Sequence, residues 1–181
     1  MKELSLNILD IVENSVKAGA TLTEISVTED GGILTITVKD DGCGMSEEIL
    51  RGVSDPFYTT RTTRKVGLGI PLLKMAAELT GGALTITSTP DDGTGAPHGT
   101  TISASFIKDH IDCAPLGDVI STLTTLVQGH PDTDFLFSHT NGDKEVRLDT
   151  RELRAVLEGV PLNTYDVLVW IEEYLREQYN S

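Results

Sequence analysis

Two segments, Asp10-Ile-Val-Glu-Asn-Ser-Val-Lys17-Ala-Gly-Ala20 and Asp40-Asp-Gly-Cys-Gly-Met45, decide how this chain reads. Around the first, Leu4, Ile8, Ile11, Val12 and Val16 recur at helical spacing, which predicts an amphipathic helix from about Lys2 to Lys17. At about 100° per residue, Asp10, Asn14 and Lys17 fall within roughly 60° of one another on its other side. A carboxylate, an amide oxygen and an ammonium then share one stripe. Taken alone, the stripe reads equally well as the solvated side of the helix. Between the segments, Ile25 and Val27 alternate with Glu24, Ser26 and Thr28. Ile33, Ile36 and Val38 follow after Asp30-Gly31-Gly32, a hairpin pattern that ends at Asp40.

At that strand end Asp40 can accept from an exocyclic amine, and Gly42 and Gly44 permit close approach that a side chain would forbid. An Asn carbonyl such as Asn14, joined by phosphate oxygens and water, would make a hard-oxygen shell for magnesium, with Lys17 neutralising phosphate charge. Further on, Asp55-Pro56-Phe57-Tyr58-Thr59-Thr60 opens a polar stretch that holds Arg61, Arg64 and Lys65. It runs into Gly67-Leu68-Gly69-Ile70-Pro71. Pro71 suits a first helical turn, and Leu72, Leu73, Ala76 and Leu79 continue an apolar face. The glycines therefore lie at a helix entrance, where exposed amides favour anions. A last strand, Thr101 to Phe106, follows Gly99-Thr100, whose hydroxyl could complete a nucleotide pocket.

In this order the segments resemble the four boxes of the superfamily that joins gyrase, heat-shock chaperone, sensor histidine kinase and MutL ATP domains. The resemblance covers residues 1–107. It implies an α/β two-layer sandwich, the Bergerat ATP-binding fold, with a mixed sheet on one side, helices on the other and a mobile lid. It implies ATP and Mg2+ as ligands, with Asn14 on the metal and Asp40 on the adenine amine between Gly42, Gly44 and Met45. Lys17 stands where histidine kinases carry a phosphate-binding lysine. Phe57, Thr59 and Thr60 match their lid-flanking box, and Gly67, Leu68, Gly69 and Ile70, with Thr100, complete the binding set. Val12-Glu13-Asn14-Ser15 and Ala18-Gly19-Ala20 look more like MutL, whereas the chain from Asp55 to Phe106 looks closest to a histidine kinase. Hydrolytic members place a glutamate four residues before the metal asparagine. Here that position is Asp10, one methylene shorter, and it is the candidate base for water.

Composition narrows the function. The chain has 181 residues, 39% of them hydrophobic, enough for one good core and a small satellite. Its net charge of −14, from 28 acidic against 14 basic residues, opposes binding to nucleic-acid phosphates. No run approaches a membrane span and no signal-peptide pattern opens the chain, so a cytoplasmic protein is expected. Cys43 and Cys113 have neither metal spacing nor a disulfide framework.

Residues 111–181 read as a small separate α/β unit: a helix from Pro115 and Gly117, strands flanking Asn141-Gly142, a helix capped by Asp149 with Glu152, and a last helix from Tyr165 to Gln178. Trp170 is expected to pack, with an interface anchor as the alternative. The metal helix starts within four residues of Met1, and His98, His110, His130 and His139 sit in no acceptor pattern, so phosphotransfer is expected to need another protein. The expected function is that of a magnesium- and ATP-dependent phosphotransferase acting on the His or Ser of an unidentified partner. The alternative is a nucleotide-gated interaction switch or a slow ATPase, and a homodimer is kept as an option.

Overall fold

The computed structural model describes residues 3–53, 55 and 68–181. Helix α1 (Leu4–Lys17) forms on the expected spacing: Leu4, Ile8, Ile11 and Val12 are all at most 1% exposed. Its first amides are orphans of the helical pattern. They are satisfied from far along the chain, Leu4 N donating to the Pro115 carbonyl and Ser5 N to that of Leu116. The hairpin follows as β1 (Leu22–Asp30) and β2 (Ile33–Asp40), closed by Gly31 and Gly32 at φ 60° and 80°. Two successive positive φ values make the mirror-image turn that matches strand twist, which is why both positions are glycine.

A short helix α2 (Glu47–Gly52) is capped by Ser46, whose hydroxyl accepts from Ile49 N. Helix α3 (Gly69–Leu79) carries Pro71 in its first turn. Strands β3 (Ala83–Thr89) and β4 (Gly99–Ile107) come next. They are followed by α4 (Val119–Gly129), β5 (Asp134–Asn141), β6 (Lys144–Asp149), α5 (Thr150–Leu157) and α6 (Tyr165–Asn180).

The six strands form one mixed sheet, ordered β3-β4-β2-β1-β5-β6, in which only β1 and β5 run parallel. One apolar core lies between this sheet and the helices, with Phe106, Phe135 and Phe137 fully buried. Helices α1, α3, α4 and α6 pack side by side over it. The other sheet face is polar, with Thr85, Ser103, Thr37, Ser26 and Ser138 in one cross-strand row. This is the two-layer α/β sandwich that the resemblance implies.

Residues 111–181, expected as a small separate unit, form the expected element types but no sheet of their own. β5 adds to the β1 edge, and α4 and α6 share the common core. Left unpaired, β1 would present a row of bare backbone groups. Three local details also differ from expectation. The hairpin residues are Gly142 and Asp143, one position past the Asn-Gly signal, because Asn141 still pairs with Lys144. Asp149 does cap α5, accepting from Arg151 N, but Glu152 turns away to Arg147 at 3.1 Å instead of closing a capping box. Trp170 does not pack in the core. It is 46% exposed and stacked on Tyr174, since it lies about 100° around α6 from the line of Val167, Ile171 and Leu175.

The far end of the sheet is latched by Glu29, His139 and Tyr179. The Glu29 carboxylate accepts from Lys108 and lies 2.6 Å from His139 Nε2, while His139 Nδ1 lies 2.8 Å from the Tyr179 hydroxyl. Burial pushes the Glu29 carboxyl up, but hydrogen bonds from Lys108 and His139 outweigh it and hold the group below its ordinary 4.5. A carboxyl depressed in the fold stabilises above its unfolded value, and that contribution is lost as pH falls through the folded one. Tyr179 works in the opposite sense. Burial first, and the Glu29 charge second, push its phenol from 10.0 to about 12. Its contribution is complete below 10.0 and lost as pH rises through about 12. Thermal melts across pH should therefore fall off on both flanks, with Glu29→Gln flattening the acid side and Tyr179→Phe the alkaline side. Unchanged profiles in both variants would contradict the latch.

Candidate functional site

A cavity of about 400 Å³ opens where α1, the end of β2, the 42–45 loop, α2, the start of α3 and β4 converge. Its walls are Ile11, Met45, Ile49, Val53, Ile70 and Ile102, and its polar groups come from Asn14, Ser15, Lys17, Asp40 and Thr100. Apolar walls with a few placed polar atoms, at this volume, are the usual form of a small-molecule site.

Asp40 anchors it. Its Oδ2 accepts the Ser15 hydroxyl at 2.6 Å, and its Oδ1 accepts Gly42 N at 2.9 Å and Thr100 N at 3.3 Å. Three donors from α1, the loop and β4 hold one carboxylate at the cavity wall and leave lone pairs for a ligand. The neighbouring Asp41 is used otherwise. Its carboxylate accepts Thr21 N, the Thr21 hydroxyl and Leu22 N, and although burial pushes it up, these bonds hold it below the usual carboxylate range. Asp41 thus ties the loop to the start of β1.

The glycines are steric requirements. A methyl group on Gly42 would meet both Cβ and the carbonyl oxygen of Ala18 at 2.9 Å. Gly44, at φ 71°, lies so close to the Thr89 carbonyl that a side chain would overlap it. Met45 N is in turn held by the Ser88 hydroxyl at 2.8 Å, and that hydroxyl also pairs with Thr100 Oγ1 at 2.8 Å. Thr100 lines the cavity as expected, but its hydroxyl is engaged with Ser88 and positions the loop.

Asn14 and Lys17 both line the cavity. Asp10 is exposed and is not among the lining residues. It flanks the α3 entrance, where a methyl on Gly69 would lie 3.4 Å from Asp10 Cβ and 3.7 Å from Asn14 Nδ2. Partial burial pushes the Asp10 carboxyl up, Glu13 adds to this, and Lys17 opposes it. Among the described residues no side chain caps α3, and the amides of Gly69 and Ile70, beside Asn14, are first-turn groups that the helix itself does not satisfy. Leu68, at the N-cap, is 53% exposed and outside the cavity wall. Phe57, Thr59, Thr60 and Gly67 lie outside the described residues.

Sequence reasoning assigned no role to Ser15, Ser88 or His98. His98 Nδ1 sits 2.5 Å from the Gly42 carbonyl and Nε2 lies 3.6 Å from Asp91, which pins the 91–98 loop over the glycine turn. Ser15 was legible only in part: its place one residue after Asn14 sets it towards the sheet.

Among the described residues no group of three or more His, Cys, Asp or Glu could hold a metal ion. Magnesium would therefore depend on the Asn14 carbonyl with ligand phosphates and water, a shell that suits a hard octahedral cation.

The profile described as "Histidine kinase-, DNA gyrase B-, and HSP90-like ATPase" matches residues 2–110, and the chain belongs to that family. Sporulation kinase A of Bacillus subtilis is 32% identical over 94 residues, which cover 52% of this chain and 15% of that protein. The matched stretches thus span less than a fifth of the length of these curated relatives. Among solved structures, the Aquifex aeolicus MutL ATPase domain complexed with ADP has a TM-score of 0.57 at 14% identity, covering 87% of this chain and 70% of that one. The N-terminal domain of a DNA repair protein has a TM-score of 0.59 at 17% identity, covering 82% and 53%. Residues 2–110 are 109 of 181, so a fold likeness over 87% of the chain reaches well into β5, β6 and their helices. No described helix is long and apolar enough to cross a membrane.

Proposed function

We propose that the chain binds ATP with magnesium and transfers the γ-phosphoryl group to a separate protein. The observation that carries this reading is Asp40, clamped by Ser15, Gly42 and Thr100 at one wall of a cavity that also holds Asn14 and Lys17. Asp40 would accept the adenine amine, Asn14 would hold magnesium against the phosphates, and Lys17 with the first-turn amides of α3 would take phosphate charge. Phosphoryl transfer asks for positioning and charge stabilisation more than covalent chemistry, and these groups supply both. A partner acceptor fits the histidines. His98 pairs with Gly42, His110 with Asp112, His130 with Glu13 and His139 with Glu29. None lines the cavity, so none is placed to take a phosphoryl group from a nucleotide bound there.

Calorimetry of the purified chain with ATP and magnesium should give one saturable site. With γ-labelled ATP and a lysate of the source organism, label should then appear on a discrete protein, acid-labile if on His and acid-stable if on Ser. No heat would remove the whole reading; heat without a labelled band would remove the kinase step alone.

A second reading, slow hydrolysis, is favoured by Asp10, whose raised carboxyl beside the α3 entrance suits a general base. Asp10→Asn would then abolish phosphate release while sparing ATP binding.

A further inference from the structure

Helix α6 turns a second chemically distinct surface to solvent. Its inner side is covered: Val167, Ile171 and Leu175 are in the core, and Gln178 bonds both the N–H and the carbonyl of Arg147 on the β6 edge. On the outer side Trp170 and Tyr174 stack at 4.7 Å and 12°, 46% and 37% exposed. Asp166, Glu173 and Glu177 stand four before, three after and seven after Trp170, so helical spacing puts all three on the same stripe. All three are exposed, and among the described residues none has an ion pair or hydrogen-bond partner for its carboxylate. The one arginine of the helix, Arg176, is held by Glu172.

Two stacked rings edged by three unspent carboxylates are complementary to guanidinium, which lies flat on an aromatic face while it donates in parallel to a carboxylate. The same charges repel nucleic-acid phosphates and anionic lipid. They also oppose a second copy of this chain, which would bring the carboxylates onto themselves. We propose that the Asp166, Trp170, Glu173, Tyr174 and Glu177 stripe of α6 is a docking surface for an arginine-rich segment of a partner protein. Trp and Tyr are the usual anchors of such surfaces. The proposal is independent of the nucleotide site.

Trp170 is the sole tryptophan, so its emission reports directly on the stripe. The probe is a synthetic amphipathic helical peptide with arginine at every fourth position, titrated at physiological salt. The expected result is a saturable change in emission with a Kd on the order of 10–100 μM. The Asp166→Asn, Glu173→Gln, Glu177→Gln triple variant should weaken it about tenfold, as loss of three exposed ion pairs predicts. Neutralising three exposed carboxylates elsewhere, Asp109→Asn, Asp132→Asn and Asp143→Asn, should leave it unchanged. A peptide with lysine at the same positions should bind more weakly. The proposal is overturned by no saturable change, by equal weakening in the two triple variants, or by lysine matching arginine. It is likewise overturned if a duplex oligonucleotide competes for the stripe or if sedimentation shows a dimer that Trp170→Ala dissolves.

Discussion

Asp40→Asn should lower ATP affinity about 100-fold, the loss expected when a charge-assisted hydrogen bond to the ligand is removed from an enclosed site. The fold should tolerate the change. The remaining amide oxygen can keep the bonds from Gly42 N and Thr100 N, and the new amide nitrogen faces the Ser15 hydroxyl, which can rotate from donor to acceptor. What the variant cannot do is offer that second oxygen to an exocyclic amine. The result should be a chain whose melting temperature moves little while calorimetric heat with ATP nearly vanishes. Unchanged affinity would show that the nucleotide base lies elsewhere, and Asn14 and Lys17 would then have to be read as ordinary helix surface. Asp41→Asn should do the reverse. Its carboxylate ties Thr21 and Leu22 to the loop, so stability should fall by about 1–2 kcal/mol.

The contrast between Asp40 and Asp41 shows what was legible in the sequence and what was not. Strand alternation ends at Asp40, so its place at the rim of the sheet follows from period-two patterning alone. So do α1, from its apolar spacing, and the Gly31-Gly32 turn. Local signals of this kind act between residues a few positions apart. Two of the three bonds that grip Asp40, by contrast, come from residues 25 positions before it and 60 after, and no local pattern reports on those. The same holds for β5. Its alternation marks a strand, but parallel pairing with β1 is decided by which sheet edge is left bare once β2 is taken. Thr100 lines the cavity, but its hydroxyl pairs with that of Ser88, its cross-strand neighbour on β3, which the pattern of 101–106 alone does not report. Helix α2, six residues long, is too short to show a period and is marked only by its Ser46 cap. Trp170, expected to pack, is instead sent outward over Tyr174, because helical rotation puts it about 100° from the line of Val167, Ile171 and Leu175.

Gly99→Ala should be the most damaging small substitution in the sheet, because that residue joins strand pairing to the site. Gly99 opens β4 at φ 139°, in the region that side chains avoid, and pairs with Thr89 on one side. On the other, a methyl group would overlap the Asp40 carbonyl oxygen and stand 3.0 Å from Asp41 Cα. Those atoms are backbone at the end of β2, where Asp40 is paired on both sides, and cannot swing away as a flexible side chain could. Backbone strain of about 1–3 kcal/mol and overpacking of similar size should add, for a loss of about 3–4 kcal/mol. For a chain of this size that lowers the melting temperature by roughly 6–16 °C. Relief of the clash requires β4 to move off β2 at the point where Thr100 N reaches Asp40, so ATP affinity should fall together with stability. Gly93→Ala supplies the comparison. Gly93 also has a positive φ, 79°, but nothing lies within 4 Å of an added methyl, so only the conformational cost of about 1 kcal/mol remains and nucleotide binding should be untouched. Equal melting temperatures for the two variants would mean that the 40–44 turn yields freely to β4, and with it the rigid placement of Asp40 on which the site depends.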